Sequence, residues 1–396
     1  MTLDVDAILD DPDTRIVVCC GSGGVGKTTT AAALGVRAAE RGRRTVVLTI
    51  DPARRLAQSM GLTELDNTPR RVSGVDGELH AMMLDMKRTF DEVVLAHTDA
   101  ERAEEIFANP FYQAMSSTFA GTQEYMAMEK LGQLRHDGDW DLIIVDTPPS
   151  RSALDFLDAP QRLARFLDGR MIRVLMAPAK AGGRGMLKMV TASLTFFSRI
   201  ITKVLGTELL QDVSTFVAAM DSMFGGFRER ADATYRLLKT PGTAFLVVAA
   251  PEPDAVREAS YFAERLTDDD MPLAGLVLNR VHTTCAPELS AERALSAAQV
   301  LDDSGASPVT AEALRAHAGL MRQITRERRF ADRFTAAHPA VPVVEVPAQA
   351  EDVHDLEGLR RIGSALAGEG PDAGLGSAAG SGTGPDSDEP SVVAAP

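Results

Sequence analysis

Short runs of apolar and β-branched residues recur along the chain, and stretches with helical spacing separate them. Because these runs are continuous instead of alternating, they are typical of strands that are covered on both faces. The alternation of such strands with helices predicts an α/β fold, namely a doubly wound, mostly parallel sheet with helices on both sides. The predicted strands occupy residues 15–20, 45–50, 79–85, 141–146, 244–250, 273–279 and 341–346.

Two long blocks lack the strand pattern. Residues 86–135 and 153–240 carry helical patterns only, so we expect two helical insertions that form a subdomain beside the sheet. Residues 1–14 are predicted to form an acidic N-terminal arm. Residues 368–396 include 15 Gly, Pro or Ser among 29 residues, a composition that predicts a disordered tail. A single domain over residues 15–367 remains.

A glycine-rich segment follows the first predicted strand and precedes an Ala-rich helical stretch. Its glycines let the backbone curl, so that successive N–H groups point at phosphate oxygens near the positive end of the helix. Lys27 would reach the β- and γ-phosphates, and the Thr28 hydroxyl would bind Mg²⁺. The residues predicted to bind nucleotide here are Gly21, Ser22, Gly23, Gly24, Val25, Gly26, Lys27, Thr28 and Thr29.

The same segment also matches the G-x-G-x-x-G fingerprint of dinucleotide-binding folds, and Asp51 ends the next strand where a ribose-binding acid would lie. Two features favour the phosphate loop. Lys27 and Thr28 follow the last glycine directly, which a dinucleotide turn does not need. A second acid, Asp146, ends another strand, and phosphoryl transfer uses additional carboxylates near Mg²⁺ and the attacking water, whereas ribose binding needs one.

Several further motifs keep their order from about residue 15 to residue 365. Together with the glycine loop they resemble the deviant-Walker ATPases of the arsenite-pump (ArsA) and tail-anchored-protein-targeting family. Within that family the chain is similar to one subunit of the actinobacterial two-chain version. The segments that carry the resemblance are residues 21–28, Asp51-Pro52-Ala53, Asp146-Thr147-Pro148-Pro149-Ser150, Pro251-Glu252, Asn279 and Val346-Pro347.

The resemblance implies a dimeric, anion-transporting or targeting ATPase that closes on ATP and Mg²⁺ and opens after hydrolysis. Lys27, Asp51 and Asp146 would be its catalytic residues. Asp51 would orient or deprotonate the attacking water. Asp146 would hold the Mg²⁺ shell through water, beside Thr28, and would report the γ-phosphate to the helix that follows.

The resemblance also implies contacts away from the phosphates. Asn279 would read the adenine, Pro347 would pack near the base, and Glu252 would contact nucleotide close to the dimer face. The alternative is structural, since strand-end Asp and Asn side chains often cap helices and turns.

Position 22 departs from the family. Ser22 stands where the family usually has a lysine that reaches across the dimer to the partner's phosphates. We therefore expect a heterodimer with a paralogous ATPase that carries the lysine. One alternative is a slow homodimer, and another is a nucleotide-binding regulatory subunit with negligible turnover of its own.

The cysteines indicate no zinc site. Family members with a zinc clamp have C-x-x-C after the sixth strand, but Cys285 is followed by Ala-Pro-Glu. His282 is predicted to be a surface residue. Cys19 and Cys20 are strand neighbours, so we expect them to be buried on opposite faces of the sheet.

Charge and hydropathy limit the classes of partner that the chain could bind. A net charge of −15 argues against nucleic-acid binding. Residues 169–207 reverse that charge, with seven cations, no acid, and several Met and Phe residues, so we expect this segment to contact a hydrophobic or membrane-protein client. Since core packing is an equal alternative for these Met and Phe residues, the client contact is a hypothesis.

No apolar run is long enough to span a membrane, and the N-terminus lacks a signal pattern. The sequence predicts a cytoplasmic protein, with peripheral attachment at the inner membrane face as an alternative.

Overall fold

The computed structural model describes residues 1–51, 55–110, 112–113, 116, 122–136, 140–148, 229–230 and 232–369. Across these residues the chain forms one mixed sheet with helices on both of its faces. The strands are β1 (Ile16–Cys20), β2 (Thr45–Thr49), β3 (Arg70–Arg71), β4 (Leu79–Met83), β5 (Leu142–Asp146), β6 (Thr243–Ala249), β7 (Leu273–Val281) and β8 (Val343–Pro347).

The helices follow the strands in the order that a parallel sheet requires. Amphipathic and Ala-rich sequences form them, because amphipathic sequences bury one side on the sheet and alanine loses no side-chain rotamer freedom in a helix. They are α1 (Val5–Asp10), α2 (Lys27–Glu40), α3 (Arg55–Ser59), α4 (Met86–His97), α5 (Ala100–Ala108), α6 (Thr122–His136), α7 (Pro253–Asp268), α8 (Ala291–Ser304), α9 (Pro308–Ala337) and α10 (Leu356–Leu366).

The strand order is β3-β4-β2-β5-β1-β6-β7-β8. Every pairing from β4 to β8 is parallel, which confirms the predicted α/β class. All seven predicted runs form strands. The sequence did not indicate β3, because this edge strand consists of two exposed arginines, which pair antiparallel with β4.

The sheet separates two apolar layers. Strand β1 lies near the middle of the strand order and is buried along its whole length, as its continuous apolar sequence predicted. Cys20 packs in the layer that contains α4, α6 and α7, whereas Cys19 packs in the layer that contains α1, α2 and α10. This difference confirms that the two thiols lie on opposite faces.

The N-terminal arm is packed onto the sheet. Thr2 forms a parallel bridge to Val343 of β8, and the Leu3 N–H donates to the Val343 carbonyl at 3.2 Å. Val5 and Leu9 of α1 are buried against the layer of α2. Residues 1–14 therefore extend the domain that the sequence predicted to begin at residue 15.

The predicted insertions are described unequally. The described part of the first block, residues 86–135, consists mainly of α4, α5 and most of α6, with short connections and no strand. Most of the second block, including residues 169–207, lies outside the described residues, as does the predicted tail beyond Glu369. Among the described helices, none combines the length and the apolar character needed to cross a bilayer.

Candidate functional site

The glycine loop lies between β1 and α2, at the edge of the sheet where the carboxyl ends of the parallel strands meet. Gly26 precedes the first residue of α2 with a φ of 96°, and a Cβ there would lie 2.2 Å from the Asn279 side-chain nitrogen. Gly21 has a φ of 147°, and its Cβ would lie 2.0 Å from the Val248 carbonyl oxygen. Both positions therefore require glycine for two reasons, the positive φ and the close approach of another strand.

Asn279 supports this loop from β7. Its Nδ2 donates to the Val25 carbonyl oxygen at 2.8 Å, and only 8% of the residue is exposed. The contact satisfies the Val25 carbonyl and ties the loop to β7. The adenine-reading role implied for Asn279 stays a prediction.

Lys27 is folded over the loop. Its Nζ donates to the Ser22 carbonyl oxygen at 2.7 Å, and 6% of the residue is exposed. Burial lowers the pKa of the Lys27 ammonium, because desolvation disfavours the charged form, while the nearby Asp146 opposes this shift. The ammonium is thus held at the loop by a single backbone acceptor that an incoming phosphate oxygen could replace.

Asp146 is the most buried acid at this edge, with no exposed surface. Its Oδ2 accepts hydrogen bonds from the hydroxyls of Thr28 and Thr49, each at 2.8 Å. Its Oδ1 is buried and has no hydrogen-bond partner among the described residues. Burial raises the pKa of the Asp146 carboxyl to about 6, although the two hydroxyls and Lys27 lower it in part.

Asp51 lies at the same edge, just beyond β2. Thr49 pairs in register with Asp146 of β5, and the Asp51 N–H donates to the Thr49 hydroxyl at 3.2 Å. The Ile50 N–H donates to the Asp146 carbonyl at 3.0 Å. The two predicted catalytic acids are therefore brought to one edge by neighbouring strands, with Asp51 half-buried. Residues 52–54 of the motif lie outside the described residues.

The other residues predicted to contact the nucleotide lie on or directly after β6, β7 and β8, which are progressively farther from the loop strand β1. Glu252 is exposed directly before α7, after β6, which is adjacent to β1. Asn279 lies on β7, and Pro347 is the last residue of β8, three strands from β1. At about 4.8 Å between strands, this places Pro347 roughly 14 Å from the loop strand. Roles for Glu252 and Pro347 in nucleotide binding stay predictions.

Thiols and imidazoles form no cluster near the loop in the described ranges, where no group of three His, Cys, Asp or Glu is placed to hold a metal ion. Burial raises the pKa of Cys20 to about 12, and Cys285 is exposed. His282, which the sequence indicated as a surface residue, is held by the buried Glu327. Its backbone N–H and its Nδ1 lie 2.8 and 2.7 Å from the two Glu327 oxygens.

Sequence reasoning missed Thr49 as a site residue. Thr49 supplies one of the two hydroxyls on Asp146, and it also holds the Asp51 backbone. A signal was present, since Thr49 is a polar residue at the end of an otherwise apolar strand. The missing information was that β2 and β5 are neighbours, which brings together residues 97 positions apart.

Comparison with known proteins gives one family and several distant relatives. A sequence model of the family described as anion-transporting ATPase matches residues 14–302. The chain is 26% identical to the ATPase GET3B of Arabidopsis thaliana, over 70% of this chain and 66% of that protein. It is 24% identical to the ATPase ASNA1 homolog 2 of Paramecium tetraurelia, over 69% of this chain and 78% of the relative. A putative arsenical pump-driving ATPase 1 of Aquifex aeolicus is 21% identical over 90% of this chain and 80% of its own length.

Proposed function

Since this chain belongs to the anion-transporting ATPase family, we propose that it binds ATP at the glycine loop and hydrolyses it. The observation that carries the proposal is the group of side chains around Asp146. Two hydroxyls bind one of its oxygens, the other oxygen is buried without a partner among the described residues, and Lys27 folds over the adjoining loop. A buried acid left half-satisfied at the carboxyl edge of a parallel sheet is typical of a site that receives a further charged group.

The oxygen donors at this position suit Mg²⁺. Mg²⁺ prefers oxygen ligands and keeps several waters, so the Thr28 hydroxyl would bind it directly and Asp146 would hold it through a water. Bound there, the ion would neutralise charge on the transferred phosphoryl group. The raised pKa of Asp146 reflects the cost of burying its charge, and a cation beside it would favour the carboxylate.

Groups of the chain itself would bind the phosphates and orient the attacking water. The N–H groups of the loop and of the first turn of α2 would hold the phosphates by hydrogen bonds and by the positive end of the helix. The Lys27 ammonium would leave the Ser22 carbonyl and bind the β- and γ-phosphates. Asp51, which is less buried than Asp146, would accept the hydrogen bond of the attacking water and orient it.

We propose further that the working unit is a dimer that closes on ATP and opens after hydrolysis, and that it serves a membrane-associated or hydrophobic client. Relatives named as arsenical pump-driving ATPases and as GET3 support this class of function. The client surface predicted at residues 169–207 lies outside the described residues. Ser22 favours a second candidate, a nucleotide-binding regulatory subunit whose partner supplies the missing lysine.

Mg²⁺-dependent ATP turnover by the purified full chain tests the proposal. We expect Lys27→Ala to lower turnover by at least about a hundredfold, because it removes a charge placed on the transferred phosphate. Lys87→Ala is the matched control, since Lys87 is an exposed lysine paired with Asp91 on α4. Removing Mg²⁺ with EDTA should abolish the turnover that remains in the control.

The outcomes separate the two candidates. Turnover that persists in Lys27→Ala would come from a contaminant or another site and would overturn the assignment of the loop. Tight ATP binding by calorimetry without turnover would support the regulatory subunit. An absence of ATP binding would refute both candidates.

A further inference from the structure

The long helix α9 carries a row of arginines on its outer face. Its members, Arg322, Arg326, Arg329 and Arg333, are spaced at i, i+4, i+7 and i+11, so they lie within about 60° of one another around the helix axis. All four are exposed. The opposite side of the helix contains Ile324 and Glu327, which are buried. We call these four residues the arginine row, and it extends for about 16 Å along α9.

The arginine row has no carboxylate partner among the described residues. None of its members forms an ion pair with any residue that the structure describes, in a chain whose net charge is −15. Some exposed arginines elsewhere are paired, such as Arg70 with Asp66 and Arg257 with Asp254, and others, such as Arg280 and Arg293, form no ion pair with a described residue. The arginine row differs from these because four such cations follow one helix face. Four adjacent cations on one helix face repel one another, so the row is an unfavourable feature of the isolated surface.

The preceding turns of α9 indicate how this side of the helix is covered. Ala311 and Ala318 are buried by the antiparallel helix α8, and Arg315 between them pairs with Asp302 of α8. These residues lie on nearly the same side of α9 as the arginine row, one to three turns earlier. Helix α8 begins at Ala291, and the four arginines farther along α9 are exposed.

We propose that the arginine row binds an acidic helix of a partner protein, which continues the path of α8 along α9. Carboxylates spaced at i, i+4, i+7 and i+11 would face the four guanidinium groups, in the way that Asp302 faces Arg315. The exposed neighbours on that side are small or polar, namely Gly319, Thr325 and Ala336. Phe330, whose ring centre lies 6.0 Å from the Arg333 guanidinium carbon, is partly buried against the core instead of projecting as a membrane anchor would. The charge and the helical spacing therefore favour an acidic helix over a membrane surface.

Fluorescence anisotropy with the full chain tests this interaction. The probe is a labelled, Ala-based helical peptide of about 18 residues with glutamates at i, i+4, i+7 and i+11. A second peptide has the same composition with the glutamates distributed around the helix. Because exposed ion pairs are individually weak, a clear difference between the two peptides requires that all four pairs form together. We therefore expect the spaced peptide to bind at least about tenfold more tightly than the second peptide. Binding should weaken as salt increases.

A charge-matched pair of variants distinguishes the row from general attraction. Changing the four arginines of the row to Gln should weaken binding of the spaced peptide at least about tenfold. The control variant changes Arg70, Arg88, Arg257 and Arg361 to Gln, which alters the net charge equally at exposed, paired positions. This control should bind within about twofold of the unmodified chain.

Three results would overturn the proposal. The two peptides could bind equally, the control variant could lose as much affinity as the row variant, or only phosphatidylglycerol vesicles could bind through the row. Circular dichroism and thermal melting verify that both variants fold, so a loss of binding reports on the surface. The result is independent of the proposed ATPase activity, because the assay contains no nucleotide.

Discussion

Among single residues, Asp146 lies in an environment that disfavours its negative charge. Its carboxyl group has no exposed surface, one oxygen accepts two hydrogen bonds, and the other has no partner among the described residues. Such an arrangement lowers stability unless something binds there, because a buried charge that is half-paired costs free energy. Protein sites often hold such groups where function requires them.

This environment predicts that Asp146→Asn stabilises the metal-free protein at neutral pH. The folded-state pKa of about 6 exceeds the ordinary value of 3.8, so the folded state favours the protonated carboxyl. The associated stability is present below pH 4 and is lost as the pH rises toward 6. At pH 7.5 the uncharged amide should therefore raise the free energy of unfolding by up to about 3 kcal/mol. Urea unfolding in EDTA measures the change.

Two comparisons make that prediction specific. The gain should shrink at pH 5 and disappear near pH 4, and ATP turnover of the variant should be lost. Asp254→Asn, at an exposed position on α7, should change stability little at either pH. A gain that does not depend on pH, or a loss of stability at pH 7.5, would contradict the assigned burial of the charge.

At the scale of elements, both described chain ends converge on helix α2. Arg37 binds Asp6 of α1 through two hydrogen bonds of 2.6 and 2.7 Å, and it binds Glu369 after α10 at 2.6 Å. Its side chain is 14% exposed. Because α2 begins at the glycine loop, the contacts that hold the two chain ends also brace the helix on which the candidate site depends.

Arg37→Met should therefore release α1 while keeping the apolar stem of the side chain. Arg37 lowers the pKa of both Asp6 and Glu369, so this stabilisation is present above their ordinary values of 3.8 and 4.5 and is lost as the pH falls below them. We expect a loss of about 1–2 kcal/mol at pH 7 that becomes smaller near pH 3. Hydrogen exchange should show faster exchange of the α1 amides.

An exposed pair provides the comparison for this change. Arg257→Met removes an ion pair whose side chains are 77% and 83% exposed, and it should leave stability nearly unchanged. If the Arg37 and Arg257 variants lose the same stability, or if α1 keeps its protection from exchange in Arg37→Met, the three-way contact does not hold the N-terminus.

At the scale of the whole molecule, position 22 decides between two kinds of assembly. The Ser22 carbonyl binds Lys27, so substitution of the Ser22 side chain leaves that backbone contact in place. A lysine at this position would supply the charge that the resemblance expects from a partner chain. Because that lysine reaches across the dimer, two copies of the substituted chain could each complete the other's site without the paralogous partner.

Ser22→Lys should therefore raise ATP turnover of the chain alone by at least about tenfold, together with ATP-dependent dimer formation, since a positive charge at the transferred phosphate stabilises the transition state. Turnover assays and analytical ultracentrifugation measure the two effects. Ser22→Met is the control for side-chain length without charge. Equal behaviour of the Lys and Met variants, or rapid turnover by the unmodified chain alone, would contradict the heterodimer.

The features that could be predicted from the sequence are those that contiguous residues encode. Continuous apolar runs predicted the strands, and the glycine spacing followed by Lys27 and Thr28 predicted the phosphate loop between a strand and a helix. Asp51 and Asp146 could be selected because each is an acid at the end of an apolar run. In these cases the local pattern is sufficient, because backbone conformation and burial follow from neighbours in sequence.

Contacts between residues distant in sequence depend on the folded chain. Asn279 supports Val25 across 254 positions, and Thr49 binds Asp146 across 97. The packing of residues 1–14 on α2 and β8, the binding of His282 to Glu327, and the uncovered side of α9 are likewise results of strand order and helix packing. No periodicity encodes these pairings, because they depend on which strands become neighbours when apolar surface is buried.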